Sequence, residues 1–318
     1  MRRSFCLTLL GLVFGNLAGL AQPAKSPVFH DPANTIIFPQ AVIGRVGDSF
    51  FDIEIRIVNT NPSVDFIGNL FLIGQDGGVA GAGGGCQIQV IGTGEGSIQE
   101  IPVLNALGPL QGDLAQSYVT TVYQGNGAFY VGLSAVELSS ACEDGVNPIT
   151  VGIETESGPQ AAGSGFFIDD LIVGFYYNLR DLEGRLIDKI AVPPSPSRAA
   201  SRIRYVTGRS AVFDIGAAIF VTVPGSNVRV RVDLPAGIGP VGSGAGNVLE
   251  TSFPISGFQD AFFLFERFQD FPMDIPAALV EITLEGPGNM YVVALGLQVE
   301  NGTIQIASQP VENVPVIR

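Results

Sequence analysis

The chain has 318 residues, of which only 14% are charged, and its formal net charge is −14. A carboxylate excess of that size repels polyphosphate, which excludes nucleic acid as a partner. The 46% hydrophobic content excludes a disordered chain, because disorder requires a shortage of apolar residues to bury.

Arg2 and Arg3 precede an apolar run from Phe5 to Phe14, and Gly19-Leu20-Ala21 puts small residues where a signal peptidase reads them. This order predicts a signal peptide over residues 1–21 and an exported protein, extracellular or periplasmic. The run is too short to span a bilayer, and no later stretch has eighteen consecutive apolar residues, so no transmembrane segment is predicted. Residues 22–35 hold Pro23, Pro27, Pro32 and the single histidine, His30; they read as an N-terminal arm.

From residue 36 the pattern is that of antiparallel sheet. Phe51-Asp52-Ile53-Glu54-Ile55-Arg56-Ile57 alternates apolar and charged residues, the period of a half-buried strand. Apolar runs near 66–73, 128–134, 149–154 and 171–177, separated by Gly, Asn, Asp and Pro, predict further strands of a first β-sandwich over 36–192. Cys86 and Cys142 are the two cysteines beyond the leader, and in an oxidising compartment they are expected to form one disulfide. Closing that loop stabilises a fold by about 4 kcal/mol in the chain-entropy model. Leu104 to Gln116 hints at a helical turn, cut short by Gly108, Pro109 and Gly112.

Val192-Pro193-Pro194-Ser195-Pro196-Ser197 predicts an extended spacer, so the linker is set at 193–199. A second β-sandwich follows over 200–318, with Val228-Arg229-Val230-Arg231-Val232-Asp233-Leu234 as its clearest strand. Phe262, Phe265, Phe268 and Phe271 recur every three residues; the stripe is expected to plug one end of the sandwich core rather than offer a ligand platform. The halves also repeat one another. Phe51-Asp52-Ile53 with Ile57 and Pro62 matches Phe213-Asp214-Ile215 with Ile219 and Pro224, while Leu179 and Gly184 match Leu297 and Gly302. The longer first copy is expected to carry its excess between Gly77 and Gly145. The fold class is therefore all-β, two tandem antiparallel sandwiches of Ig-like or jelly-roll type.

Short motifs recur in order: Phe38-Pro39-Gln40, then Ile57-Val58-Asn59-Thr60-Asn61-Pro62, then Phe71-Leu72-Ile73-Gly74-Gln75-Asp76-Gly77, and finally Gln309-Pro310-Val311. In these the chain resembles the tandem β-sandwich repeat proteins secreted by acidobacterial-type soil bacteria, a group with no known activity. The resemblance covers most of residues 36–312 and implies secretion and a sandwich fold.

Residues suited to chemistry are few. One histidine in an arm is no basis for a Ser-His-Asp triad or a two-His zinc motif. Gly163-Ser164-Gly165 and Gly242-Ser243-Gly244 read as plain turns, and the only lysines are Lys25 and Lys189. Asp169, Asp170, Asp181, Glu183 and Asp188 cluster around a predicted hairpin. They are the candidate metal ligands, for Ca²⁺ if for any ion, and a more remote pair of glycosidase carboxylates. Arg198, Arg202, Arg204 and Arg209 form a basic island expected to pair with neighbouring acids. Tyr176-Tyr177, Tyr118 and Tyr123 are the rings that could meet a sugar in a chain without Trp. These readings favour a non-catalytic extracellular structural or interaction protein with no cofactor, working through protein, cell-surface or matrix contacts and self-association. The alternatives are a carbohydrate- or Ca²⁺-binding module and, beyond that, a secreted hydrolase.

Overall fold

The computed structural model describes residues 35–46, 49–59, 66–74, 88–94, 97–99, 103–104, 119–123, 127–135, 145–155, 171–195, 201–238, 248–268, 271–300 and 303–314. The leader, His30, Cys86, Cys142, Asp169, Asp170, Arg198, Tyr118 and the 105–116 segment lie outside them. The described chain is almost entirely β, with antiparallel sheets in a sandwich arrangement.

The first half contributes β1 (Thr35–Val46), β2 (Ser49–Asn59), β3 (Phe66–Gly74), β4 (Ile88–Gly94), β5 (Ser97–Gln99), β6 (Val103–Leu104), β7 (Val119–Tyr123), β8 (Gly127–Ala135), β9 (Gly145–Thr155), β10 (Leu171–Asp181) and β11 (Leu186–Val192). The second contributes β12 (Arg202–Arg209), β13 (Phe213–Val221), β14 (Asn227–Asp233), β15 (Val248–Pro254), β16 (Gln259–Phe263), β17 (Ile275–Glu285), β18 (Met290–Glu300), β19 (Thr303–Gln309) and β20 (Val311–Asn313). One helical turn, α1 (Leu264–Arg267), follows β16.

The same strand order occurs twice. In the second half β15-β14-β17-β12 form one layer and β16-β13-β18-β19 the other, joined at a corner where Arg209 of β12 pairs Asp214 of β13. In the first half β7-β3-β9-β1 and β8-β2-β10-β11 are arranged alike, joined where Gly44–Val46 of β1 pair Ser49–Phe51 of β2. Strands β4, β5 and β6 have no counterpart, and all three lie between Gly77 and Gly145, where the excess was expected. The matched Leu179 and Leu297 occupy equivalent registers in their hairpins, opposite Asp188 and Ile306. Gly184 takes the positive φ (79°) that the tight β10–β11 turn requires.

Alternation places the core. On β14, Val228, Val230 and Val232 are buried while Arg229 and Arg231 face solvent. They pack with Ile203, Tyr205, Val280 and Ile282 of their own layer against Ile215, Ile219, Val292 and Met290 of the other. Phe262, Phe268 and Phe271 are buried in this cluster, and Phe265 packs on it, so the stripe is the core plug. Phe268 and Phe271 stack at 6.0 Å between centroids.

The layer β16-β13-β18 is buried on its outer face too. Phe220, Phe258 and Tyr291 there enclose Ile37 of β1, and all four are fully buried. The next residue, Phe38, turns to the first half and stacks on Phe175 at 4.4 Å. Pro39 offers its carbonyl to Thr150 Oγ1 (3.0 Å) and to Gln259 Nε2 (2.6 Å), one bond into each half. The Phe38-Pro39-Gln40 element therefore joins the two halves.

The start of the proline-rich segment is docked as well. The Ser195 amide donates to the Ile37 carbonyl (2.9 Å), and its hydroxyl accepts from the Val292 amide (2.9 Å). This first contact parallels the pairing of β20 with β12, where Asn313 lies opposite Ile203. Ser195, within the proline-rich segment, is thus bonded to β1 and to β18.

Tyr177 is buried and donates from its hydroxyl to the Gln40 carbonyl at 2.6 Å. Tyr177→Phe is expected to strand that carbonyl and cost about 1–3 kcal/mol. A denaturant titration showing no change in midpoint would contradict it.

Candidate functional site

The acidic hairpin brings some of the predicted residues together, around an arginine. Asp181 accepts from the Arg185 amide (2.8 Å) and from Arg185 Nε (2.7 Å), and Glu183 accepts from Arg185 Nη2 (3.2 Å). Slight desolvation pushes the Asp181 carboxyl up, but the bonds from Arg185 outweigh it and hold the group below its ordinary range. Asp188 sits apart on β11 and accepts from the Lys189 amide at 2.8 Å. A cation at this hairpin would have to displace the Arg185 guanidinium. Among the described residues no three His, Cys, Asp or Glu side chains gather as a metal site.

The adjoining face of β2, β10 and β11 is a network of charge pairs. Asp52, buried, accepts from Asn178 Nδ2 (2.6 Å) and Arg180 Nε (2.5 Å). The strand alternation assigned Asp52 to the solvent face; its two partners are what allow it to be buried. Glu54 is held by Lys189 Nζ (2.6 Å) and by Arg56. Both cations lie over the Tyr176 ring, at 4.7 Å for Lys189 and 5.1 Å for Arg56. Tyr176 is thus engaged by cations, and Tyr177 is core, so neither offers a bare stacking surface for a sugar.

Within the basic island, Arg202 and Arg204 converge on Glu281, each at 2.7 Å. Burial pushes Glu281 up, but these two hydrogen bonds outweigh it and keep its carboxyl below its usual range. Arg209 pairs with Asp214 at 3.1 Å and lies over Phe265 (4.4 Å) and Phe271 (5.9 Å), fastening the aromatic plug to the corner. The three described arginines of the island are paired with acids, as expected.

What sequence reasoning missed is where this island lies. Strand register lays out the solvent face of β12, β17, β14 and β15 as a grid. One row across the four strands reads Arg202, Thr283, Arg229, Ser252. The next reads Arg204, Glu281, Arg231, Glu250, alternating in charge. The third reads Val206, Leu279, Asp233, Val248. A groove of about 360 Å³ crosses the first two rows, lined by Arg202, Arg229, Arg231, Glu250, Glu281 and Thr283, with Ser201 and Leu284. The outward arginines of 228–234 were legible as a pattern, but nothing local set them beside Arg202.

The fold and this face define an all-β sandwich with a grooved, charge-patterned sheet surface. No family model, no curated protein and no solved structure matches the chain. Among the described residues no helix is long and apolar enough to cross a membrane.

Proposed function

We propose that the protein is an exported, non-catalytic structural or interaction protein of the cell exterior, built of two tandem sandwiches and acting by contact. The reading is carried by one observation: the solvent face of β12, β17, β14 and β15 presents a continuous grid of arginines, carboxylates and hydroxyls on paired strands. Such a surface suits recognition of a charged partner over an extended area. The leader-like N-terminus, the expected Cys86–Cys142 disulfide and the resemblance to secreted repeat proteins accord with an exterior location.

The test takes the purified secreted chain through sedimentation velocity, binding to cell-envelope and matrix fractions, and panels of hydrolase substrates. Association or matrix binding with blank hydrolase panels is the expected result. Turnover of a polysaccharide that is lost on changing Asp181 or Glu183 to Ala would replace this reading with an enzyme.

A further inference from the structure

We propose that the groove across β12, β17 and β14 binds the carboxylates of an acidic polysaccharide, a polymer carrying uronic acids. This rests on the contact-protein reading and names its partner. The arginines in the groove differ in how fully they are engaged. Arg229 stands 3.4 Å from Glu285 and 3.9 Å from Glu250, and its side chain is 44% exposed. Those separations give charge attraction more than well-formed hydrogen bonds, so the guanidinium is oriented while its donors stay available. Arg202 bonds Glu281 through Nη2 and has no acceptor for its buried Nε.

Thr283 lies opposite both arginines in register, and Ser252 lies opposite Arg229 on the far side. Guanidinium and hydroxyl thus alternate across four strands about 4.8 Å apart. A guanidinium matches a carboxylate in a two-bond fork, and hydroxyls exchange hydrogen bonds readily with the hydroxyls of a sugar. A uronic-acid polymer carries both groups along its length.

Other ligands fit less well. A neutral sugar wants a ring to stack on, and among the described residues no aromatic side chain lines the groove. An extended acidic peptide would dock by adding a strand, but β17 and β14 are each paired on both edges. Because the chain as a whole is strongly negative, long-range attraction does not assist an anion, and recognition depends on contacts at these arginines.

The experiment titrates the full-length protein with a short oligogalacturonate and with a neutral galactan oligomer of equal length. Binding of the uronate alone is expected. Arg229→Ala should weaken it at least about tenfold, a loss of about 1.4 kcal/mol. Arg229→Lys should recover part, keeping the charge without the fork. Arg185→Ala, on the distant hairpin, should bind as the parent does. Melting curves should show all variants folded, since exposed ion pairs contribute little to stability. Absence of uronate binding, or binding by Arg229→Ala and by Arg202→Ala as tight as the parent's, overturns the groove and leaves the contact reading standing. Tighter binding of polyglutamate than of the uronate overturns the ligand class. Depolymerisation of the uronate overturns the contact reading and leaves the groove.

Discussion

A full-length chain carrying Ile37→Asp is expected to melt in two steps, with the second half unfolding at a lower temperature than in the parent. Ile37 is fully buried among Phe220, Phe258 and Tyr291, all of the second half. A carboxylate there meets no described cation, and an uncompensated buried charge costs about 3–5 kcal/mol. That loss falls on the contact between the halves, because the neighbouring Phe38 faces Phe175 and not this cluster. Ile37→Ala, which only leaves a cavity, should cost about 2–5 kcal/mol. The same physics predicts that a fragment of residues 200–318 folds cooperatively yet melts below the same region in the whole chain. It would expose the outer face of β13, β16 and β18 that β1 and Ser195 cover. Calorimetry of the two variants and the fragment beside the parent chain decides the matter. A single unshifted transition for Ile37→Asp would show that the contact contributes nothing.

Stability is expected to fall as pH rises from about 4 through 6, which is unusual for a carboxylate-rich protein. The cause is Asp214, whose burial pushes its carboxyl up from 3.8 to about 6 despite the Arg209 guanidinium 3.1 Å away and the Ile215 amide. Glu266 nearby adds to the rise. A folded-state value above the unfolded one means that the folded protein binds the extra proton between those two values. The stabilisation is therefore full below about 4 and is lost as pH climbs past about 6. Its size is about 3 kcal/mol, from 1.36 kcal/mol for each tenfold change in proton affinity. Asp260, raised chiefly by burial against the pull of Arg267, contributes in the same direction. Glu54 and Glu281, held low by their cations, act oppositely and lose their contribution only as pH falls below the ordinary carboxylate range. A stability maximum near pH 4 follows. Asp214→Asn, neutral throughout, should flatten the decline between pH 4 and 7 in a series of denaturant titrations. A decline unchanged in that variant would remove Asp214 as its source.

The strands were legible because alternation is a local property. Side chains two residues apart point the same way, so Val228, Val230 and Val232 on one face and Arg229 and Arg231 on the other follow from the string of letters. The repeat was legible for the same reason, since Phe51-Asp52-Ile53 and Phe213-Asp214-Ile215 recur near the starts of β2 and β13, the matched strands of the two halves. The acidic hairpin was legible as a cluster, but not its neutralisation by Arg185, which depends on a turn geometry that Gly184 sets.

Alternation, low charge and turn composition by themselves determined an all-β sandwich with two matched halves. The tertiary structure alone decided what those halves do to each other and what their surfaces hold. Ile36-Ile37-Phe38 is an apolar run in any reading, yet only packing divides it, with Ile37 given to one core and Phe38 to the other. Arg202, Thr283, Arg229 and Ser252 are scattered along the chain between positions 202 and 283, and they become one row only through the register of β12, β17, β14 and β15. The reason is physical: the direction of a side chain is written in its nearest neighbours along the chain, whereas register is a long-range choice made by the whole buried face, where a slip of one residue would turn every valine outward.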